Sequence, residues 1–230
     1  MKKVKRMQLD VETYRPGGEG FTGEEIILIG VLEDEPEEYI FFENFKKTKG
    51  ERIAGERDML VNFYSYLKDL RRQSMVEIVG FNILRYDVPL LIAKALKYGV
   101  VKEVFGEEMG GAHEAEFISR YWHDICIVDI MQTLLPFNNM IFKGLKLGNV
   151  VTALREWGCE TALKDSVEGR LIAELFENGE YDKVREKNKK DLEAIRDVYR
   201  CLRALINKIP KELKLKVATS TLVEEKGHKP

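Results

Sequence analysis

Near the start of the chain, apolar and polar positions alternate with a period of two. Leu9 and Val11 share one face of a strand-like stretch over Val4 to Val11, and Gln8, Asp10 and Glu12 share the other. Two further strand-like stretches follow, Glu25 to Glu33 with the run IILIGVL and Glu38 to Phe42 with YIFF, separated by the turn chemistry of PGGEG and EDEP. From Glu56 the period changes. Met59, Leu60, Phe63, Leu67 and Leu70 recur at helical spacing and lead into VEIVGF, which reads as a short, fully buried strand, so that the helix crosses over to a parallel strand. NILRYDVPLLIAKALKYG predicts a helix that starts at Asp87 and Pro89, buries Leu91, Ala95 and Leu96, and stops at Gly99. ICIVDI at 125–130 predicts another strand, and the aperiodic, glycine-containing stretch before it predicts a loop or insertion over 105–124. LKLGNVVTALREWG and SVEGRLIAELFENG predict two helices and Tyr181 to Ile209 a long one, while residues 211–230 read as a C-terminal extension, a strand and then a loose end. The order predicts an α/β fold: one domain over 1–210, with a mixed sheet whose first three strands are antiparallel, flanked by helices. Such sheets place their sites near strand ends.

Composition narrows the class. With 230 residues and 44% hydrophobic content the chain supports one sizeable core. One third of its residues are charged, yet the net charge is −2, so no bulk basic field attracts nucleic acid or membrane and any polyanion must be held locally. The basic start MKKVKRMQLD lacks a signal-like apolar run and no membrane-length apolar stretch occurs, so a soluble, cytoplasmic protein without membrane contact is expected. Cys126, Cys159 and Cys201 are odd in number and lack a CxxC pair, and His113 and His123 are too loosely spaced for zinc. The cysteines read as small core or boundary residues, without a disulfide framework. Abundant Lys and Glu with scarce Cys suits a thermophile.

Against that background a few carboxylates are misplaced. Asp10 and Glu12 form a like-charge pair on one strand face, which calls for a cation unless the strand end simply emerges into solvent. Asp87 precedes an apolar helix with Pro just inside it, so it is either a helix cap or a site residue. In the long last helix the stripe Val184, Ile195, Val198, Leu202, Leu205, Ile209 passes through Asn188 and Asp191, and spacing supplies no matching Lys or Arg for that aspartate. It is either a hydrogen-bonded structural residue or part of a site. Converging, the four acids Asp10, Glu12, Asp87 and Asp191 need about two divalent cations for neutrality, and all-oxygen ligands select Mg²⁺ or Mn²⁺.

LDVET together with GFNILRYDVPLL resembles the DEDD 3′-5′ exonucleases of the RNase H-like superfamily, particularly the proofreading exonuclease domains of family B DNA polymerases. The D-x-E motif falls on Asp10 and Glu12, and the more specific second motif on Gly80, Phe81, Asn82, Tyr86, Asp87 and Pro89. Weaker similarity runs through IVDIMQTL, FKGLKLGNVVTAL and ENGEYDKVREKNKKDLEAI, so that the resemblance spans most of 4–209. The third motif departs from the pattern: where the family places Tyr four residues or His five residues before its last Asp, this chain has Lys187 and Glu186.

The resemblance implies an RNase H-like fold and a stand-alone exonuclease that releases nucleoside 5′-phosphates from single-stranded DNA, with RNA left open, by two-metal-ion catalysis. It implies that Asp10, Glu12, Asp87 and Asp191 hold the metals. On a single-stranded substrate Tyr14, Phe81 and Tyr86 are then candidates to stack on bases, Tyr14 the better one and Phe81 the better core residue. Thr13 and Asn82 are candidate substrate contacts, Asn82 nearly as readily a turn cap after a strand; Lys143 and Lys146 are candidate phosphate contacts or plain surface lysines; and Tyr121, Trp122 and His123 are a candidate strand-guiding loop. Lys187, at the place of the water-orienting Tyr, is then a helper for phosphate or nucleophile, or a solvated surface lysine. Two rivals stand beside this reading: a catalytically weakened nucleic-acid-binding module, and an endonuclease or ribonuclease on the same acids. A homo-oligomer stays open.

Overall fold

The computed structural model describes residues 3–15, 20–156, 158–159 and 171–207. Strands β1 (Val4–Tyr14), β2 (Glu25–Asp34) and β3 (Glu37–Glu43) form an antiparallel meander, with Glu35 and Pro36 turning β2 into β3. Helix α1 (Lys49–Gln73) then crosses over to β4 (Met75–Gly80), which pairs in parallel with β1, and β5 (Cys126–Asp129) pairs in parallel with β4. The sheet order is β3-β2-β1-β4-β5, which puts the strand carrying Asp10 and Glu12 at the centre.

Alternation on the strands separates two apolar layers. Leu9, Val11, Ile29, Val31 and Ile78 face one layer, filled by α1, α2 (Asp87–Lys97), α3 (Val100–Phe105) and α4 (Glu114–His123). Val79, one residue beyond Ile78, faces the other, filled by α5 (Ile130–Leu134), α6 (Leu147–Glu156) and α8 (Tyr181–Asn207). Near the start of α8, α7 (Ile172–Glu177) adds Ile172 and Phe176 to a smaller cluster with Tyr14, Ile27, Leu28 and Val184. This is the expected mixed sheet, antiparallel in its first three strands and flanked by helices, the arrangement of an RNase H-like fold.

Several expectations change. The long helix expected from Glu56 begins at Lys49, because Thr48 and Glu51 form a reciprocal capping box. The stretch expected as loop or insertion holds α4, whose first turn is capped by the His113 ring rather than by a usual cap residue. Its Tyr121 and Trp122 are buried, with the Trp122 indole donating to the Tyr64 hydroxyl at 3.1 Å, so they are core residues and do not guide a strand. Cys159 and Cys201 are bonded to each other, because the chain leaving α6 returns against α8 with the two Cα atoms 6.2 Å apart; Cys126 is free and exposed. Phe81 packs against the second apolar layer, as expected. Among the described residues no helix is long and apolar enough to cross a membrane. The expected extension over 211–230, residues 166–170 of an expected helix and Ile209 lie outside the described residues.

Candidate active site

Asp10 sits on β1 directly opposite Gly30 of β2, and the β1–β2 register slips between Glu12 and Thr13. A bulge at that point re-aims side chains, and bulges gather beside functional sites. Gly30 matters because α8 lies over it. A Cβ at residue 30 would stand 1.7 Å from Asn188 Oδ1, so only glycine lets α8 settle this close to the sheet. Seated there, Asn188 donates through Nδ2 to Asp10 Oδ2 at 2.7 Å and to the Asp10 carbonyl at 3.3 Å. The next turn of α8 brings Asp191 in. Asp10, Glu12 and Asp191 each offer a carboxylate oxygen, all within 4.8 Å of one another. Glu12 and Asp191 are buried and Asp10 partly so, which excludes a strand end emerging into solvent.

Asp87 arrives by a different route. Pairing of β1 with β4 ends at Gln8 and Val79, and the chain after β4 turns through Asn82, which has a left-handed backbone (φ 64°). The Asp129 carboxylate ties this turn down: it accepts from the Asn82 and Leu84 amides, both at 3.0 Å, and from Gln132 at the start of α5. The turn delivers Asp87 as the first residue of α2 rather than as its cap, since Tyr86 occupies the cap position and makes no side-chain capping bond. The Asp87 carboxylate accepts instead from the amide of Val11 at 3.0 Å, between Asp10 and Glu12. A backbone donor that β4 no longer reaches is thereby satisfied by a carboxylate.

Lys187 is the main surprise. It is buried, and its ammonium donates to Glu12 Oε1 at 2.6 Å and lies 2.9 Å from Asp191 Oδ2. Neither a solvated lysine nor one free for a phosphate, it is the partner of Asp191 that spacing was expected to lack. One ammonium does not balance the carboxylates around it. Burial first, and then Glu12, push the Asp10 carboxyl up to about 7, against the pull of Lys187 and Asn188. Burial and the Asp10 charge raise Asp87 well above the usual carboxylate range, and burial raises Glu12 despite Lys187. Burial alone would lower Lys187, but Glu12, Asp10 and Asp191 outweigh it and hold the ammonium protonated.

The other expected contacts are distributed differently. Thr13 Oγ1 donates to Glu24 Oε2 at 2.9 Å and lies 3.2 Å from the Tyr86 hydroxyl, which also bonds Glu24; Arg15 pairs with the same buried carboxylate. Glu24 thus anchors the margin of the site, and the sequence offered no sign of it beyond an acid beside an apolar strand. Tyr14 is not available to stack on a base, because it is buried against Phe176 at 4.8 Å with its hydroxyl bonded to Glu177 at 2.9 Å. Asn82 Oδ1 is buried and finds no hydrogen-bond partner among the described residues. Lys143 and Lys146 are exposed.

The donor set, four carboxylates whose charge exceeds that of one ammonium in a buried place, fits a hard divalent cation. Comparison with known proteins adds a family. Residues 23–211 match the model of a family described as a predicted 3′-5′ exonuclease related to the exonuclease domain of PolB, a range that begins after Asp10 and Glu12. DNA polymerases of Thermococcus aggregans and Thermococcus litoralis are each 29% identical over 98 residues, 43% of this chain. The chain spans only 5% and 6% of those two proteins, and 12% of a Pyrococcus glycovorans DNA polymerase matched at the same identity.

Proposed function

The chain belongs to the family of predicted 3′-5′ exonucleases related to the exonuclease domain of PolB, and from that premise we propose that it hydrolyses single-stranded nucleic acid, DNA in preference to RNA, from the 3′ end. The observation that carries the reading is the convergence of Asp10, Glu12 and Asp191 within 4.8 Å, with Asp87 anchored between the first two. Asp10, Glu12 and Asp191 would hold one Mg²⁺ or Mn²⁺, and Asp10 with Asp87 a second. Bound there, such cations activate water and neutralise charge on the leaving oxygen.

The chain's own groups prepare this. Asn188 fixes the rotamer of Asp10, the Val11 amide fixes Asp87, and Lys187 holds Glu12 and Asp191 towards each other. Lys187 stands where the resemblance places a water-orienting Tyr, and as a protonated ammonium it donates and does not act as a base. In the reaction a water oxygen forms a bond to phosphorus, the bond from phosphorus to the 3′-oxygen breaks, and a nucleoside 5′-phosphate leaves a strand ending in a 3′-hydroxyl.

One observation favours a second reading. An ammonium bridging Glu12 and Asp191 supplies a positive charge where a cation would bind, as a binding module that has lost turnover would have it. A 5′-labelled single-stranded DNA oligomer with Mg²⁺ or Mn²⁺ separates the two. The exonuclease gives a ladder shortening from the 3′ end that Asp10→Asn abolishes. Binding without shortening in either ion would establish the second reading, and cutting of a closed single-stranded circle would make the enzyme an endonuclease.

A further inference from the structure

The turn that carries Asp87 adjoins the least acidic part of the chain. No Asp or Glu occurs over residues 130–155, the longest such run in a sequence where 39 of 230 residues are acidic. Within it, the segment after α5 turns large apolar side chains outward: Phe137 is 80% exposed, Met140 65% and Ile141 53%. Phe142 and Leu84 are also exposed, Leu84 lying in the turn between β4 and α2. Buried Leu134 and Leu135 anchor the near end, and the backbone ties itself back through the Met140 amide to the Leu135 carbonyl at 3.0 Å and the Asn138 side chain to the carbonyls of Ile141 and Lys143. The outward side chains are therefore held on a closed loop. Arg85 joins the two segments, its guanidinium 4.4 Å from the centre of the Phe142 ring. Arg85, Lys143 and Lys146 are exposed and make no ion pair among the described residues.

Five exposed large apolar side chains beside three unpaired cations, without an acid in the segment, form a surface that water does not favour and a polyanion with flat apolar faces does. We propose that Phe137, Phe142 and Leu84, with Arg85, Lys143 and Lys146, form the platform that binds the single strand leading into the carboxylate site. Bases stack on the two phenylalanines and phosphates meet the three cations. The proposal rests on the nuclease reading, and its place in the fold supports it: Arg85 lies two residues before Asp87, and Asp129, which starts α5, holds the Asn82 and Leu84 amides.

Binding of a 5′-fluorescent single-stranded oligonucleotide, read by anisotropy in an Asp10→Asn background, tests this. The double variant Phe137→Ala/Phe142→Ala is expected to weaken binding at least about tenfold. Lys143→Glu is expected to lower the slope of log affinity against log salt by about one. Both variants should keep the native Tm, because the substituted side chains are exposed, so that weakened binding reports the surface and not the fold. Native-like binding by the double variant overturns the proposal. So does a native-like affinity accompanied by a changed oligomeric state, which would make the patch a contact between copies, or capture by anionic vesicles in place of DNA. The two readings fail separately. A native protein that binds but never shortens DNA, while the variants lose binding, sinks the exonuclease and leaves the platform. Shortening by the native protein with unaltered binding by the variants does the reverse.

Discussion

Lys187 decides much of the chemistry because it meets Glu12 and Asp191 with its ammonium buried. Half of that pairing stands in the spacing, against the expectation that Asp191 lacks a partner: Lys187 and Asp191 are four apart on a helix, which brings side chains together. The other half was not, since Glu12 is 175 residues away in sequence and no local pattern records it. Removing the ammonium has two opposed consequences. In metal-free protein, Lys187→Met leaves two buried carboxylates without their cation, and stability measured by denaturant unfolding near neutral pH is expected to fall by about 3–5 kcal/mol. Divalent cation binding should tighten, by about tenfold or more in calorimetric titration with Mn²⁺, because a competing positive charge has gone. Unchanged Mn²⁺ affinity would mean that Lys187 and the cation occupy separate parts of the cluster.

Elements hold the site through contacts whose logic is only partly local. The strands of the meander and the crossover helix follow from period and turn residues, and α8 was visible down to the two polar positions in its apolar stripe. The start of α1 was written in Thr48 and Glu51, yet its first turns carry few apolar residues to extend the period. Helix α4 was hidden by the glycines before it and by a histidine cap, although Ile118, Tyr121 and Trp122 carry the buried spacing. Gly30 reads as an ordinary glycine in a strand until α8 is placed over it. Gly30→Ala should force Asn188 away from Asp10, costing about 1–3 kcal/mol in stability and most of the proposed nuclease activity. A variant as stable and active as the native protein would show that α8 does not depend on this close approach. Asp129→Ala removes the acceptor of three backbone amides, and a loss of about 1–2 kcal/mol is expected, with a fall in turnover as the turn bearing Asp87 loosens. Native turnover in that variant would show that α2 alone positions Asp87.

Across the whole molecule, the carboxylates occupy the junction where the central strand, the turn into α2 and the closing helix α8 meet, so their charge state is linked to folding as well as to the proposed catalysis. Asp10 has an ordinary carboxyl value of 3.8 and is pushed up to about 7 by burial and Glu12, and Glu12 and Asp87 shift in the same direction. Acids raised in the folded state hold their protons more tightly there than in the unfolded chain. The contribution of Asp10 to stability is complete below about pH 4 and is lost as pH rises through about 7, and those of Glu12 and Asp87 are lost in the same direction. In metal-free protein the Tm is therefore expected to fall between about pH 5 and pH 8, opposite to the usual effect of carboxylates that are paired in the fold. Saturating Mn²⁺ should reverse the trend, because the same ligands bind a cation only when deprotonated, so the metal-induced rise in Tm grows with pH. Asp10→Asn should flatten both slopes in scanning calorimetry. A metal-free Tm that climbs from pH 5 to pH 8, or a Mn²⁺ effect that does not change with pH, would mean that Lys187 alone already balances the cluster.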